Sequence, residues 1–176
     1  VQYALRAFFD HPRDVAKTGL TPGLEGKRVI VQGLGNVGYH AALFLSSMDG
    51  ALITHVLERD GTVINAAGID ITALRAHIVE TGSVRGHPGF VEGGMEHLEA
   101  EADILIPAAM ELVITDANAA RIKAPLIIEA ANGPVSAEGD EILRKSGTVI
   151  IPDLYANAGG VTVSYFEWIK NLSRIR

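Results

Sequence analysis

Val29-Ile30-Val31-Gln32-Gly33-Leu34-Gly35-Asn36-Val37-Gly38 decides the fold. Its three consecutive β-branched residues read as a strand buried on both faces, since no polar residue alternates with them. A Gly-x-Gly-x-x-Gly string follows at once, and a helical pattern begins inside it: Val37, Ala41, Phe44 and Leu45 recur at helical spacing over residues 36–47. A strand that turns sharply into a helix is the context in which such a glycine triplet means more than flexibility.

Each glycine answers a separate need. Gly33 permits the tight turn, Gly35 lets a pyrophosphate approach the backbone, and Gly38 allows the helix to pack close to the strand, while free N–H groups at the helix start face the anion. Glu58 stands twenty residues after Gly38, at the end of a second apolar run, Leu52 to Leu57. An acidic side chain there can accept both hydroxyls of an adenosine ribose. Arg59 is either a partner for a 2′-phosphate or a solvated surface charge. Asp60-Gly61 reads as a turn.

Working outward, short apolar runs recur at Ile104-Leu105-Ile106, Leu126-Ile127-Ile128 and Val149-Ile150-Ile151. The intervals are 23 residues from Ile30 to Ile53, 22 from Leu105 to Ile127 and 23 from Ile127 to Ile150, room for one crossover helix between parallel neighbours. Helices are predicted over 115–122 and 136–145, the latter started by Ser136. The beat is β-α-β, and it predicts an α/β, Rossmann-type, doubly wound three-layer sandwich with a mostly parallel sheet. One interval departs from it: the 52 residues from Ile53 to Leu105 hold a predicted helix, Ile71 to Thr81, and glycine-rich loops over 82–94, expected as surface structure. Before the first strand, a helix at Gln2 to Phe9 and the turn-rich Thr21-Pro22-Gly23-Leu24-Glu25-Gly26 form a separate segment, so the domain is expected over 27–176 with a helix and linker over 1–26.

Composition bounds the function. The chain has 176 residues, no cysteine and a net charge of −6, with eleven acidic residues against three arginines between Glu58 and Asp116. This excludes a disulfide scaffold and a thiol nucleophile, and argues against a nucleic-acid binder, which usually shows a basic face. No run approaches a membrane span and no export signal is visible at residues 1–10, so a cytoplasmic protein without a membrane partner is expected. The six histidines show no metal-ligand spacing and no serine sits in a nucleophile elbow; neither a metal nor a serine hydrolase is expected.

Three further loops follow strand ends, where ligands sit in open α/β sheets: Pro107-Ala108-Ala109, Asn132-Gly133-Pro134, and Asn157 before Gly159-Gly160. The asparagines are either hydrogen-bonding contacts for a carboxamide or ribose, or ordinary turn residues beside glycine.

At these residues the sequence resembles the glutamate dehydrogenases, over 27–172. The diagnostic stretch is Ile151-Pro152-Asp153-Leu154-Tyr155-Ala156-Asn157-Ala158-Gly159-Gly160-Val161-Thr162-Val163-Ser164-Tyr165-Phe166-Glu167-Trp168, supported by Ala130-Ala131-Asn132-Gly133-Pro134 and Asp103-Ile104-Leu105-Ile106-Pro107-Ala108-Ala109. The related leucine, phenylalanine and valine dehydrogenases differ after the double glycine.

The resemblance implies a domain that binds NAD, with NADP as the alternative, in an enzyme that oxidatively deaminates L-glutamate to 2-oxoglutarate and ammonia. It implies that Gly33, Gly35, Asn36, Val37 and Gly38 hold the pyrophosphate and that Glu58 takes the ribose. Ala108, Ala109, Asn132 and Asn157 are then contacts along the nicotinamide half, and Ser164 binds the substrate's side-chain carboxylate with Val161 lining the same pocket. Phe166 and Trp168 read as core or interface.

The family also has an amino-terminal domain, with a glycine-flanked lysine and a proton-shuttling aspartate. Neither motif is found here, so no catalytic residue is assigned, and Lys17, Lys27, Lys123, Lys145 and Lys170 read as surface or linker residues. The chain is expected to bind cofactor without turnover, within a full-length homo-oligomer. The alternatives are a domain of a branched-chain or aromatic amino acid dehydrogenase, or a standalone nucleotide-binding regulatory module.

Overall fold

β1 (Arg28–Gln32) is the strand around which the sheet is built. Val29, Ile30 and Val31 are wholly buried, and the pleat sends them alternately to opposite faces. Val29 and Val31 join Ile104, Ile106, Leu126 and Ile128 in one core cluster; Ile30 joins Leu57, Leu105 and Ile127 in another. Two cores on one sheet make a three-layer sandwich. A single run of β-branched residues therefore serves both layers at once.

The computed structural model describes residues 1–173. α1 (Gln2–Phe9) and α2 (Pro12–Thr18) precede β1, and α3 (Asn36–Asp49) leads to β2 (Leu52–Glu58). β3 (Gly61–Ile64), α4 (Ile71–Thr81) and β4 (Phe90–Val91) follow, then β5 (Ile104–Pro107), β6 (Leu126–Ile128) and α5 (Ala137–Lys145). β7 (Val149–Ile151), α6 (Asp153–Ala156) and α7 (Ala158–Ser173) complete the described residues. The sheet order is β4-β3-β2-β1-β5-β6-β7. β2, β1, β5, β6 and β7 run parallel, whereas β3 and β4 are antiparallel additions at one edge. The chain moves outward from β1 to one side and returns to its other side with β5, which opens a crevice at the carboxyl end of β1. This is the α/β Rossmann-type architecture that the spacing predicts.

α3 and α4 cover one face through Leu45 and Leu74; α5 covers the other through Leu143. α1 is fastened to the far end of α3 by Asp49, whose carboxylate accepts from Gln2 Nε2 at 2.6 Å and Arg6 Nε at 2.7 Å.

Three local expectations are corrected. The long interval after β2 is not only surface loop: a two-residue turn at Arg59 and Asp60 returns the chain as β3, and Thr62 and Val63 are fully buried in it. Opened by Gly61 and Thr62, β3 leaves only Val63-Ile64 as an apolar run, one residue shorter than those that mark β6 and β7. The helix expected over 115–122 is instead a turn with a short 3₁₀ segment, Ala119–Arg121. There the Asn118 side chain accepts from Thr115 N at 2.8 Å and donates to Val113 O at 2.9 Å, bonds that compete with helical ones. α2, unforeseen, starts on Pro12 in its first turn and ends at Gly19 with φ 70°, both ordinary helix punctuation.

At the opposite end of the sheet from the crevice, Asp103 accepts from Arg28 N at 2.8 Å and Arg28 Nη2 at 3.1 Å, joining β1 to β5. Burial acts to raise the Asp103 carboxyl, but the Arg28 hydrogen bonds and charge outweigh it and hold the group below its ordinary value. Its contribution is therefore complete above the ordinary carboxylate range and lost as pH falls through the depressed value. Asp103→Ala should cost about 1–2 kcal/mol at neutral pH, since Arg28 is half exposed and part of the attraction is screened. In thermal melts, the gap between the two proteins should close on acidification.

Candidate functional site

The crevice is built on the turn between β1 and α3. Gly33 has φ +88°, and a Cβ there would lie 2.4 Å from Ala109 Cβ. A Cβ on Gly38 would lie 1.8 Å from the Gly33 carbonyl oxygen, a backbone atom that cannot step aside without opening the turn. Both glycines are thus demanded by the fold itself. Gly35 is not: its φ is −66°, and a Cβ would meet no atom of the chain within 4 Å. It is exposed at the N-cap of α3, and no side chain caps that helix end. The N–H groups of the first turn have no carbonyl one turn earlier to bond and carry the positive end of the helix dipole.

Glu58 sits at the tip of β2, and its Oε1 accepts from Leu34 N in the glycine turn. Its Oε2 has no hydrogen-bond partner among the described residues, so it is available to another donor. Leu34, Gly35, Glu58, Arg59, Arg75 and Ser83 line a cleft of about 340 Å³ on this side of α3. Arg75, on α4, donates from Nη1 to Leu34 O at 3.0 Å, and its guanidinium lies 5.5 Å from the Tyr39 ring centre. Asp60 is engaged by Ser83 Oγ.

On the other side of α3 the loops after β5, β6 and β7 meet. Val37, Ala109, Asn132, Asn157, Val161 and Ser164 line a wider cleft of about 660 Å³, with Ala108 beside them. Asn157 Nδ2 donates to Asn132 Oδ1 at 2.8 Å. That bond uses one amine hydrogen and one carbonyl, leaving the amine of Asn132 and the carbonyl of Asn157 turned to other partners. A third cleft of about 350 Å³, lined by Gly33, Glu58, Arg59 and Ala109, shares residues with both.

Eleven of the sequence-predicted residues are brought to these three clefts. Gly38 is buried beneath the turn and Asn36 is exposed at the start of α3, outside the cleft linings. Sequence reasoning missed Arg75, which a periodic helix gives no reason to single out. It also missed Gln32, a buried amide whose Oε1 accepts from Ala109 N at 3.2 Å. A polar residue closing an apolar strand run was the available signal.

The reading of Phe166 and Trp168 as core or interface loses its first half. Phe166 and Trp168 are 63% and 58% exposed, and no residue of α7 belongs to either core cluster. These aromatics are therefore not core of this chain. Among the described residues no group of three His, Asp or Glu could hold a metal ion, and no helix is long and apolar enough to cross a membrane.

A family model described as Glutamate/Leucine/Phenylalanine/Valine dehydrogenase matches residues 9–176. The chain belongs to that family. It is 51% identical to a probable glutamate dehydrogenase of Sinorhizobium fredii over 99% of its length, and 50% identical to an NADP-specific glutamate dehydrogenase of Saccharolobus shibatae over 86%. It spans 40% and 36% of those two relatives. Among solved structures, a hetero-hexameric glutamate dehydrogenase from Thermus thermophilus in a Leu-bound form superposes with a TM-score of 0.82 at 29% identity, over 98% of this chain and 40% of that one. For this dehydrogenase-family chain the glycine turn separates two kinds of constraint. Gly38→Ala should destabilise the fold by about 2 kcal/mol or more through overpacking, while Gly35→Ala should cost under about 1 kcal/mol. Chemical denaturation of the two variants checks the contrast.

Proposed function

We propose that residues 27–176 form the NAD(P)-binding domain of a glutamate dehydrogenase, with residues 1–26 as a helical lead-in. The observation that carries the reading is Gly35: nothing in the folded chain requires a glycine there, and it stands at an uncapped helix start between two clefts. A ligand that must come closer than a methyl group allows supplies the missing reason. A pyrophosphate bridging the two clefts fits that description.

In this reading Gly33, Gly35, Asn36, Val37 and Gly38 shape the anion seat. Glu58 Oε2 and Arg59 face the adenosine ribose, Glu58 Oε1 meanwhile holding the loop through Leu34 N. A nicotinamide carboxamide offers one donor and one acceptor, complementary to the Asn132 amine and Asn157 carbonyl left over by their mutual bond. Ala108 and Ala109 lend that half a small, apolar wall. A nicotinamide ring, when bound, supplies a two-electron hydride acceptor; the residues of this chain orient it and exclude water on one side. Val161 and Ser164 line the same cleft, and in this reading Ser164 meets the side-chain carboxylate of L-glutamate while Val161 forms the wall beside it. Groups that move protons come from elsewhere in a longer protein, which works as a homo-oligomer in the cytoplasm.

NAD is the proposed cofactor. An acceptor at Glu58 suits a free 2′-hydroxyl, whereas Arg59 and Arg75 in the same cleft are what NADP use would draw on. Fluorescence titration of the full-length protein with NADH and NADPH tests this. NADH should bind more tightly, and Glu58→Gln, which keeps an acceptor for Leu34 N, should weaken NADH about tenfold by loss of a charge-assisted bond while leaving NADPH nearly unchanged. Preference for NADPH with no effect of the substitution would overturn the ribose assignment. Turnover on L-glutamate should exceed that on L-leucine, with Ser164→Ala raising the KM for glutamate; a preference for leucine would favour the apolar amino acid dehydrogenases instead.

A further inference from the structure

The nicotinamide half of the crevice is assembled from three separate loops, and something must hold them in register. The loops after β5 and β6 are joined by backbone bonds, Ala130 N and Ala131 N both donating to Pro107 O at 3.0 and 2.9 Å. The loop after β7, which carries Asn157, is joined to the loop after β6 in a different way. Glu129, buried one residue past β6, accepts Asp153 N on Oε2 at 3.1 Å. Asp153, the first residue of α6, in turn accepts Gly133 N on Oδ2 at 2.9 Å. Each loop thus gives an N–H to the other's carboxylate.

Both asparagines lie one step from this exchange. Asn132 precedes Gly133 directly in the chain, and Asn157 N donates to Asp153 O at 2.9 Å. Asn132 is exposed and Asn157 half-exposed. An amide–amide bond open to water contributes little on its own, because water competes for both groups. Its geometry is therefore set by the backbone beneath it, and that backbone is tied by two carboxylates that do not line the wider cleft themselves. A carboxylate accepting backbone N–H groups makes a charge-assisted bond, stronger than the amide pair it supports.

We infer that Glu129 and Asp153 are positioning residues, which fix the Asn132–Asn157 amide pair and so tune the affinity of the crevice for the nicotinamide half of a dinucleotide without touching it. The inference rests on the dinucleotide reading above. It makes a claim that a purely structural staple does not: the effect of losing the exchange is confined to one half of the ligand.

The test compares NADH with ADP-ribose, which has the adenosine and pyrophosphate but no nicotinamide, by calorimetric titration of the full-length protein. Asp153→Ala should weaken NADH about tenfold, the scale of one lost charge-assisted bond, and leave ADP-ribose within about twofold. Asp153→Asn, which keeps the size and one acceptor, should give an intermediate loss, again confined to NADH, and serves where the alanine variant does not fold. Equal weakening of both ligands, or no weakening of either, overturns the positioning role while leaving the dinucleotide reading intact. A wild-type protein that binds neither ligand overturns the dinucleotide reading itself, and this inference with it.

Discussion

The close approach of α3 to the end of β1 is the constraint from which the rest follows. A backbone carbonyl and an α-carbon meet where no methyl group fits, Gly33 O standing 1.8 Å from the place a Gly38 Cβ would occupy. Because the helix can come that near, its first turn lies directly over the strand's carboxyl end, and its unbonded N–H groups open on the crevice rather than on solvent at large. Leu34 N is then taken up by Glu58, which fixes the tip of β2 against the same turn. The two clefts exist because α3 begins between them.

This arrangement divides the labour of the loop residues. Gly33 and Gly38 are answered by atoms of the chain, and Gly35 by none of them. On the adenosine side the loop is braced by side chains, Glu58 beneath Leu34 N and Arg75 on Leu34 O. On the other side the bracing is between loops, through Pro107 O and the exchange of N–H groups between the Glu129 and Asp153 carboxylates. A rigid sheet edge with braced loops can present groups to a ligand at little further entropic cost.

Much of this was legible in the sequence where one residue type has one physical use. A run such as Val29-Ile30-Val31 fits only a strand buried on both faces, and it falls into two core clusters as its period requires. The helix predicted over Ile71–Thr81 has those bounds in the structure, where Asp70 caps its start and Gly82, with φ 74°, ends it. What escaped notice depended on partners distant in sequence. β3 is a strand because β2 offers it an edge, and 115–122 is not a helix because Asn118 finds Val113. Phe166 and Trp168 read as core or interface, and their exposure removes the first of these, because burial depends on what covers a side chain. Asp153 lies inside the diagnostic stretch and Glu129 carries no sequence signal; their exchange across 24 residues of chain is visible only in space.

The central claim is that the turn from β1 into α3 seats a paired phosphate over Gly35. It is tested most directly by NADH affinity of the Gly35→Ala variant in the full-length protein, measured by calorimetry beside its thermal melt. The account predicts a loss of about tenfold or more, the cost of one methyl group standing in the ligand's path, with the melting temperature little changed. Wild-type affinity in a folded Gly35→Ala protein would contradict it.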